Sequence, residues 1–375
     1  MKQIVVFAGT RPEIIKMAPV VRELKSRAAN SRQRWKVHFC FSGQHLEIAL
    51  PFLEFFEIEP DSTLELMSPG QSLGQLTARG ATQLDSFFER TPGCVAALVQ
   101  GDTTTAFVAA LSAFYHGIPV GHVEAGLRTS SISQPFPEEL NRRLIGRIAT
   151  WHYAPTKKAS ETLRSEKVAQ DAVLITGNTG IDSLLWTAAR GWEPRDGALR
   201  NLEGKRIALV TVHRRENIGA PLENIAQALR RLAQSFGDVQ FILPVHPNPK
   251  VSEIVRCNLS GLPNFHLTPP LEYGDLVWAM KQAELILSDS GGIQEEAPSL
   301  SKPVIVLRDE TERPEAIEYG TSILVGSNAN AIFTTASEFL GKKRRIEPTG
   351  KSNPYGDGFA NHKIADHLLN VLNLD

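Results

Sequence analysis

Short apolar runs alternate with helix-like stretches along this chain, and two of the runs end in acidic, glycine-containing segments. The first segment is Val99–Thr105 (VQGDTTT) and the second is Ser288–Glu296 (SDSGGIQEE). Strands that alternate with helices favour a parallel sheet with right-handed crossovers. Ligands of such open sheets bind beyond the carboxyl ends of the strands. One segment in each half of the chain therefore predicts two domains that close on one ligand.

The apolar runs predict a set of strands in each half. Those of the first half are Ile4–Ala8, Trp35–Ser42, Cys94–Gln100, Pro119–Val123, Trp151–Ala154 and Val173–Thr176. Those of the second half are Arg206–Val212, Phe241–Val245, Leu285–Ser288, Val304–Leu307 and Ser322–Val325. We place the domain boundary near Gly177 and expect domains at residues 1–176 and 177–357. Residues 358–375 hold a last helix, and the sequence permits it to cross back onto the first domain.

Bulk properties exclude several classes of protein. A chain of 375 residues is too long for most single cores, so two domains are the natural expectation. The formal net charge of -1 argues against broad binding to nucleic acid or to a membrane surface. The three cysteines are far apart and odd in number, which suits a reducing cytosol better than a disulfide framework or a zinc site. No apolar run approaches the roughly 20 residues of a membrane span. We therefore expect a cytoplasmic protein without a metal centre.

Glycine turns mark the places where a phosphate would be held. In the first half, Arg11 lies in the turn Gly9–Glu13 and Lys16 follows about one helical turn later. The two cations can face a phosphate or a sugar together, or they can form an exposed surface pair.

A second small-residue turn lies in the other half of the chain, at Ser290, Gly291 and Gly292. Its glycines would let phosphates approach the backbone at a helix start. Glu296, one turn further, can accept both hydroxyls of a ribose, or with Glu295 it can complement the helix dipole.

Carboxylates follow neighbouring strands of the first half. Asp102 ends one predicted strand and Glu124 ends the next. Carboxylates that converge on one crevice can titrate apart, one acting as acid and the other as base. Asp102 can equally be the N-cap of the helix that follows it. Glu138 and Arg142 share one face of a predicted helix, either as functional groups or as a simple helical salt bridge.

Two histidines stand near strand ends of the second half. His213 precedes Arg214 and Arg215, and a histidine beside two arginines fits a diphosphate better than a core site. His246 lies in the sequence Pro-Val-His-Pro-Asn-Pro, which indicates a rigid loop and carries a weaker functional signal.

These segments, in this order, resemble the UDP-N-acetylglucosamine 2-epimerase family over nearly the whole chain. The resemblance rests on Gly9–Lys16, Gln100–Thr105, Gly121–Thr129, Pro135–Arg143, Val212–Asn217, Ser288–Lys302 and Thr311–Ala316. It implies an α/β fold of two Rossmann-like domains with the active site in the cleft between them, the glycosyltransferase-B type. It also implies a homodimer that acts on a UDP-sugar without a nicotinamide cofactor. The glycine turns lack a good G-x-G-x-x-G fingerprint, which agrees with that expectation.

The resemblance further implies the reaction and the residues that carry it. Bacterial members interconvert UDP-N-acetylglucosamine and UDP-N-acetylmannosamine for surface polysaccharide precursors, by eliminating UDP to a 2-acetamidoglucal and adding it back. The implied acid–base residues are Asp102, Glu124 and Glu138. His213 would hold or protonate the diphosphate, and Arg142 would orient Glu138. The implied nucleotide-sugar ligands are Arg11, Lys16, Ser290, Gly291, Gly292 and Arg313, with Glu296 at the ribose. A second, activating UDP-sugar site would use Gln44, Gln71, Arg214 and His246.

Other functions remain open at this point. A hydrolysing relative would release UDP and N-acetylmannosamine. An epimerase of a modified sugar, such as a UDP-2,3-diacetamido uronic acid, is kept open by Leu46, where many family members carry a basic residue, and by Leu271, where relatives often have a polar residue. A glycosyltransferase on the same architecture would need an acceptor site. A nucleotide-sugar-binding protein without catalysis would not need its three acid–base candidates.

Overall fold

The computed structural model describes residues 1–32, 34–43, 46–66, 68, 70–346, 348 and 353–374, without the side chains of residues 46–48 and 215. The chain forms two compact units. The first unit comprises Met1–Ser183 together with Tyr355–Asp375, and the second comprises Leu184–Pro354. No helix among the described residues is both long enough and apolar enough to cross a membrane.

The strands form one parallel sheet in each unit. The first sheet contains β1 (Lys2–Ala8), β2 (Trp35–Phe41), β3 (Ser62–Thr63), β4 (Cys94–Gln100), β5 (Val120–Val123), β6 (Trp151–Ala154) and β7 (Val173–Ile175). The second sheet contains β8 (Arg206–Thr211), β9 (Val239–Pro244), β10 (Phe265–Thr268), β11 (Ala283–Ser288), β12 (Val304–Val306) and β13 (Ser322–Leu324).

Helices connect the strands. In chain order they are α1 (Arg11–Asn30), α2 (Leu46–Phe55), α3 (Leu73–Glu89), α4 (Thr104–Tyr115), α5 (Glu138–Ile148), α6 (Lys157–Ser165), α7 (Thr179–Ala189), α8 (Gly197–Arg200), α9 (Ala220–Ser235), α10 (Pro249–Leu259), α11 (Tyr273–Gln282), α12 (Gly291–Glu296), α13 (Pro314–Glu318), α14 (Ala329–Leu340) and α15 (Ala360–Leu372). Short 3-10 turns lie at Gln170–Ala172, Arg215–Asn217 and Ala297–Leu300.

The two sheets share one topology. The order of the first is β3-β2-β1-β4-β5-β6-β7, and that of the second is β10-β9-β8-β11-β12-β13. In both, the chain starts in the middle, winds outward to one edge and then returns to build the other side. The topological switch points therefore lie between β1 and β4 and between β8 and β11, where ligands of doubly wound folds bind. The predicted fold class, two Rossmann-like α/β domains, is confirmed.

Local chemistry explains the central elements. Strand β1 is apolar from Ile4 to Ala8 and buried on both faces, as expected for an inner strand of a parallel sheet covered by helices. Helix α1 begins with a reciprocal capping box between Thr10 and Glu13, and its first turn accommodates Pro12. The last helix, α15, packs on α1 within the first unit, where Arg27 Nη2 lies 2.9 Å from Asp366 Oδ1.

Two strands of the structure, β3 and β10, were not predicted from the sequence. Strand β3 has two residues and β10 has four, and each lies at an edge of its sheet. Strand β3 consists of two polar residues and β10 alternates apolar with polar residues (FHLT), so neither has the continuous apolar run by which the other two edge strands, β7 and β13, were predicted. The other strands form where the apolar runs predict them, with ends shifted by at most two residues.

Candidate active site

A buried carboxylate joins the two loops at the switch point of the first unit. Glu13 Oε2 accepts hydrogen bonds from the backbone N–H groups of Gly9 (2.9 Å) and Thr10 (2.7 Å). Glu13 Oε1 accepts from Thr103 Oγ1 at 2.7 Å, so the loop after β1 is tied to the loop after β4. Burial raises the pKa of Glu13, and these hydrogen bonds oppose that rise. Glu13 therefore holds the turn that carries Arg11.

Asp102 lies on the loop after β4 but does not cap the helix. Thr103 is the N-cap of α4 and accepts from the Ala106 N–H, so the capping alternative for Asp102 is wrong. Its carboxylate instead receives one guanidinium, with Arg142 Nη2 at 2.7 Å and Nε at 2.8 Å from Oδ2. Asn141 Nδ2 donates to the Asp102 carbonyl oxygen at 2.8 Å. Helix α5 thus fixes both the backbone and the side chain of Asp102.

Glu139 is the fully buried carboxylate of helix α5, and sequence reasoning did not single it out. It accepts from the Thr129 N–H at 3.1 Å and from Arg143 Nε at 2.8 Å. Arg142 Nη1 donates to it more weakly at 3.3 Å. The i+3 and i+4 spacing of the two arginines places both on the face of Glu139. The double glutamate of the motif was the signal by which this residue could have been found.

The predicted pairing of Arg142 with Glu138 is wrong. The Arg142 guanidinium group forms ion pairs with Asp102 through Nη2 and with Glu139 through Nη1. Glu138 Oε2 is buried and has no hydrogen-bond partner among the residues that the structure describes. Asp102 comes from the loop after β4, a partner that the spacing within one helix cannot reveal. Glu138 therefore lies at the start of α5 with one buried oxygen and outside these ion pairs.

Glu124 ends strand β5 in an unusual backbone conformation. Its φ is 65°, in the left-handed region that non-glycine residues seldom adopt. Its side chain is only 9% exposed, and Oε2 receives both Lys16 Nζ and, at 2.6 Å, Gln100 Nε2. Lys16, predicted to face a phosphate or sugar, is thus engaged by a catalytic candidate that directly follows β5. Arg11 is exposed, with its guanidinium carbon 5.5 Å from the centre of the Phe52 ring.

A buried histidine supports the same edge of the sheet. His122 on β5 is fully buried, and its Nε2 lies 2.8 Å from the carbonyl oxygen of Gly101. Burial lowers the pKa of His122 to about 3, so the ring is neutral and Nε2 carries the proton that this carbonyl accepts. His122 is therefore a fixed hydrogen-bond donor to the loop before Asp102, not an acid–base group.

In the second unit, a buried aspartate organises the corresponding switch point. Asp289 follows β11, is fully buried and accepts from the backbone N–H groups of His213 (3.0 Å) and Arg214 (2.9 Å). Asn217 Nδ2 donates at 2.9 Å, and His213 Nδ1 lies 3.0 Å from Oδ1. Burial alone would raise the pKa of Asp289, but the contacts with His213, Arg214 and Asn217 outweigh it and lower the pKa. The sequence marked Asp289 only as the residue at a strand end.

The histidines of the second unit lie side by side. The ring centres of His213 and His246 are 6.2 Å apart, with 24° between the ring planes. His246 Nδ1 accepts from the Asn248 N–H at 3.2 Å. Arg214 Nε is buried without a hydrogen-bond partner in the described part of the chain. Arg214 and His246, predicted for a second ligand site, thus both flank His213.

The structure provides less information on Gln44 and Gln71, the other two residues predicted for that second site. Gln44 lies outside the described residues. Gln71 belongs to the first unit, where its Oε1 accepts from the Ser68 N–H at 3.0 Å just before α3.

The two glycines of the Ser-Gly-Gly turn differ in their surroundings. A Cβ on Gly291 would lie 2.8 Å from the guanidinium carbon of Arg313, whereas a Cβ on Gly292 would meet nothing closer than Ser290 Oγ at 3.8 Å. A side chain at position 291 would therefore displace the Arg313 guanidinium, whereas Gly292 is exposed. Arg313 Nε in turn donates to Glu295 at 2.9 Å, so Glu295 is an ion-pair partner rather than a simple dipole complement.

Glu296 lies at the end of the same short helix. Tyr273, at the start of α11, is buried, and burial together with the nearby charge of Glu296 raises the pKa of Tyr273. Glu296 is half-buried. The residue predicted to bind the ribose therefore lies at the boundary between the core and the surface of the second unit.

Comparison with known proteins identifies the family. The model of the UDP-N-acetylglucosamine 2-epimerase family matches residues 27–369. The UDP-N-acetylglucosamine 2-epimerase of Yersinia pestis is 45% identical over 378 residues, which cover 99% of each chain. The crystal structure of the Neisseria meningitidis UDP-GlcNAc 2-epimerase bound to UDP-GlcNAc is 41% identical, with a TM-score of 0.84 over 99% of this chain and 100% of that one.

A more distant structure is similar in fold alone. Acinetobacter baumannii MurG is 12% identical, with a TM-score of 0.61 over 99% of this chain and 100% of that one. The family model and the closer relatives span nearly the whole length of the chain. The chain therefore belongs to the UDP-N-acetylglucosamine 2-epimerase family of isomerases.

Proposed function

We propose that this enzyme is a non-hydrolysing UDP-N-acetylglucosamine 2-epimerase that interconverts UDP-N-acetylglucosamine and UDP-N-acetylmannosamine. The observation that carries the proposal is the set of three carboxylates in the first unit, each in a different electrostatic environment. Asp102 faces Arg142, Glu124 faces Lys16, and Glu138 has a buried oxygen without a hydrogen-bond partner among the described residues. Carboxylates in different environments can divide the roles of acid and base at one pH.

The chemistry needs both roles. A base removes the proton from C2 while the C1–O bond breaks and its electron pair leaves with UDP. A double bond then joins C1 and C2 in the 2-acetamidoglucal. When UDP adds back to C1, an acid delivers a proton to the opposite face of C2. We assign this proton transfer to Asp102, Glu124 and Glu138, because one carboxylate can act as base in one direction and as acid in the other.

The departing diphosphate needs a separate set of groups. We assign its binding to the second unit, with His213 as the residue that holds or protonates it. The other proposed ligands there are Ser290, Gly291, Gly292, Arg313 and, at the ribose, Glu296. The neisserial relative, which is named as bound to UDP-GlcNAc, supports a UDP-sugar as the ligand. Arg11 and Lys16 complete the proposed set from the first unit.

The test is proton NMR of the purified enzyme with UDP-N-acetylglucosamine in heavy water. We expect UDP-N-acetylmannosamine with deuterium at C2, because the proton lost in elimination is replaced from solvent. Free N-acetylmannosamine together with UDP would instead identify the hydrolysing branch. An unchanged spectrum would refute UDP-N-acetylglucosamine as the substrate and direct the search to UDP-sugars modified at C3 or C6.

Regulation by a second UDP-sugar is part of the same proposal. The residues concerned are Gln44, Gln71, Arg214 and His246. The buried Nε of Arg214, without a partner among the described residues, supports an anionic ligand near His213. Substitution of Arg214 by Ala should change a sigmoidal dependence of rate on UDP-N-acetylglucosamine into a hyperbolic one. A hyperbolic curve for the unmodified enzyme would refute this part.

A homodimer is also proposed, through the first unit. Helices α4 and α5 pack together and carry exposed apolar side chains. Phe114 is 58% exposed and Tyr115 is 74% exposed, and Leu140 and Leu144 add a stripe on α5. Sedimentation equilibrium should give twice the chain mass, and Tyr115→Glu with Leu144→Glu should give a monomer.

The proposed role in surface polysaccharide synthesis is tested separately, by loss of N-acetylmannosamine from the polysaccharide when the gene is deleted.

A further inference from the structure

We propose that Asp289 is a positioning residue that holds His213 in one tautomer, with the proton on Nδ1 and Nε2 left to face the ligand. This inference deepens the proposed function and rests on it for the role of His213 in the reaction. The tautomer itself follows from contacts within the second unit.

The first step is the hydrogen-bonding capacity of Asp289. An ionised carboxylate only accepts hydrogen bonds, and it offers about four lone-pair sites. The backbone N–H groups of His213 and Arg214 and the amide of Asn217 occupy sites on it, and all three can only donate. His213 Nδ1, 3.0 Å from Oδ1, is the remaining contact. A bare Nδ1 would set its lone pair against a fully buried carboxylate, so Nδ1 must carry the proton.

The second step is the neighbouring ring. His246 Nδ1 accepts a hydrogen bond from the Asn248 N–H, so the neutral His246 ring carries its proton on Nε2. The rings of His213 and His246 are stacked at 6.2 Å, yet their Nδ1 atoms meet opposite partners. The two histidines, although adjacent, are therefore assigned opposite tautomers. This contrast provides an internal reference for the measurement.

The third step connects the tautomer to the reaction. The carboxylate of Asp289 is fully buried, whereas the side chain of His213 is 38% exposed. With Nδ1–H held by Asp289, Nε2 can bind a proton from solvent and present it to a diphosphate oxygen. As the C1–O bond breaks, its electron pair goes to that oxygen, and the Nε2 proton neutralises it. Asp289 balances the charge of the imidazolium before the transfer, as the buried carboxylate does in serine proteases.

The experiment is nitrogen-15 NMR of the full-length protein labelled at histidine, at an alkaline pH where both rings are neutral. His213→Gln and His246→Gln identify the two sets of signals. We expect a protonated Nδ1 and a bare Nε2 for His213, and the reverse for His246. In Asp289→Asn the amide oxygen keeps the backbone donors and the NH₂ group faces Nδ1. His213 should then move its proton to Nε2, while His246 should not change.

Kinetics provide the second readout. Asp289→Asn should lower kcat by about 10²- to 10⁴-fold, the usual contribution of one acid–base group, with KM changed by less than about threefold. Asn217→Ala is the control, because it removes the hydrogen bonds to Asp289 and to the Leu307 carbonyl oxygen and leaves the carboxylate that faces the ring in place. It should leave the tautomer unchanged and lower kcat by less than about tenfold.

The outcomes separate this inference from the proposed function. A proton on Nε2 of His213 in the unmodified protein overturns the inference, and that measurement stands even when Asp289→Asn does not fold. An unchanged tautomer and kcat in a folded Asp289→Asn variant overturns it as well. Opposite tautomers in a protein that does not turn over UDP-N-acetylglucosamine would confirm the role of Asp289 on His213 and refute the proposed substrate.

Discussion

Glu138 and Glu139 are adjacent on helix α5, and we predict that substitution by glutamine changes a different property of the protein at each position. Glu139 is fully buried and accepts three hydrogen bonds, two of them from arginines. Glu138 has a buried oxygen that accepts none from the described residues. Glu139→Gln should therefore lower stability, and Glu138→Gln should lower activity.

The magnitude for Glu139→Gln follows from its contacts. The amide oxygen can replace Oε2 and keep the bonds from Thr129 and Arg142. Its NH₂ group then faces Arg143 Nε, which donates to Oε1 at 2.8 Å in the unmodified protein. A hydrogen bond to a charged group is worth about 1.5–3 kcal/mol, and we take about 2 kcal/mol because Arg143 is 41% exposed. For a unit of this size that loss lowers Tm by about 4–8 °C.

Glu138→Gln removes a charge that makes no such bond, so stability should change by no more than about 0.5 kcal/mol. Its kcat should fall by about 10²- to 10⁴-fold if Glu138 transfers a proton. Differential scanning calorimetry measures the first effect, and formation of deuterated product in heavy water measures the second. Equal destabilisation by the two variants, or full activity of Glu138→Gln, would refute the reasoning.

Two further predictions concern packing and pH. Gly292→Ala should stabilise the protein by about 0.5–1 kcal/mol, because it replaces an exposed helical glycine whose Cβ would meet nothing closer than 3.8 Å. Gly291→Ala should have a lower Tm than Gly292→Ala, because its Cβ would lie 2.8 Å from the guanidinium carbon of Arg313 and would displace that side chain from Glu295; equal Tm values in thermal denaturation would contradict this. Asp182 caps α15 by accepting the backbone N–H of Asn361 at 2.7 Å, and burial raises its pKa from the ordinary 3.8 to about 6. The folded protein therefore holds this proton more tightly than the unfolded chain does. Protonated Asp182 contributes up to about 3 kcal/mol to the free energy of unfolding. This contribution is complete below about pH 3.8 and is lost as the pH rises through about 6. Asp182→Asn lacks this titration, so its stability relative to the unmodified protein should rise between about pH 3.8 and pH 6. Thermal denaturation at a series of pH values measures the difference, and Tm profiles that run parallel over this range would contradict the assignment.

The architecture was largely predictable because inner strands of a parallel sheet are buried on both faces. Such strands read as continuous apolar runs, and β4 and β6 begin and end where the runs predict. Helix α3 has a sequence signal that the strand analysis passes over, the capping box formed by Ser72 and Gln75. The strand-end position of Asp102, Glu124 and His213 also follows from the sequence, since each comes directly after an apolar run.

The partners of these residues were not predictable. Arg142 lies four residues after Glu138, which indicates a helical pair, yet it binds Asp102 from a loop far away in sequence. Lys16 was assigned to a phosphate or sugar, and the structure places it on Glu124. Long-range pairing depends on the order of strands in the sheet, and the spacing of residues within one segment carries no information about that order.

The two units use one physical device at their switch points, a buried carboxylate that collects N–H and O–H donors from neighbouring loops. In the first unit Glu13 binds the loop after β1 to Thr103, and in the second Asp289 binds the loop after β8 to the end of β11. The donors differ in kind. Those of Glu13 are neutral, and burial raises its pKa, whereas Asp289 also faces His213 and its pKa is lowered. The charge should therefore matter less in the first unit than in the second.

Glu13→Gln tests that difference. The amide oxygen can accept from the Gly9 and Thr10 N–H groups, and the NH₂ group can donate to Thr103 Oγ1, so only the hydroxyl proton of Thr103 needs a new acceptor. We expect a loss of no more than about 1 kcal/mol, because exchanging a buried charge for a neutral group removes its desolvation cost. In Asp289→Asn the NH₂ group instead meets a ring nitrogen that was itself a donor, so a bond is lost unless the ring changes tautomer. A loss of more than about 2 kcal/mol for Glu13→Gln in thermal unfolding would mean that the charge itself, rather than the hydrogen-bond geometry, holds the first switch point together.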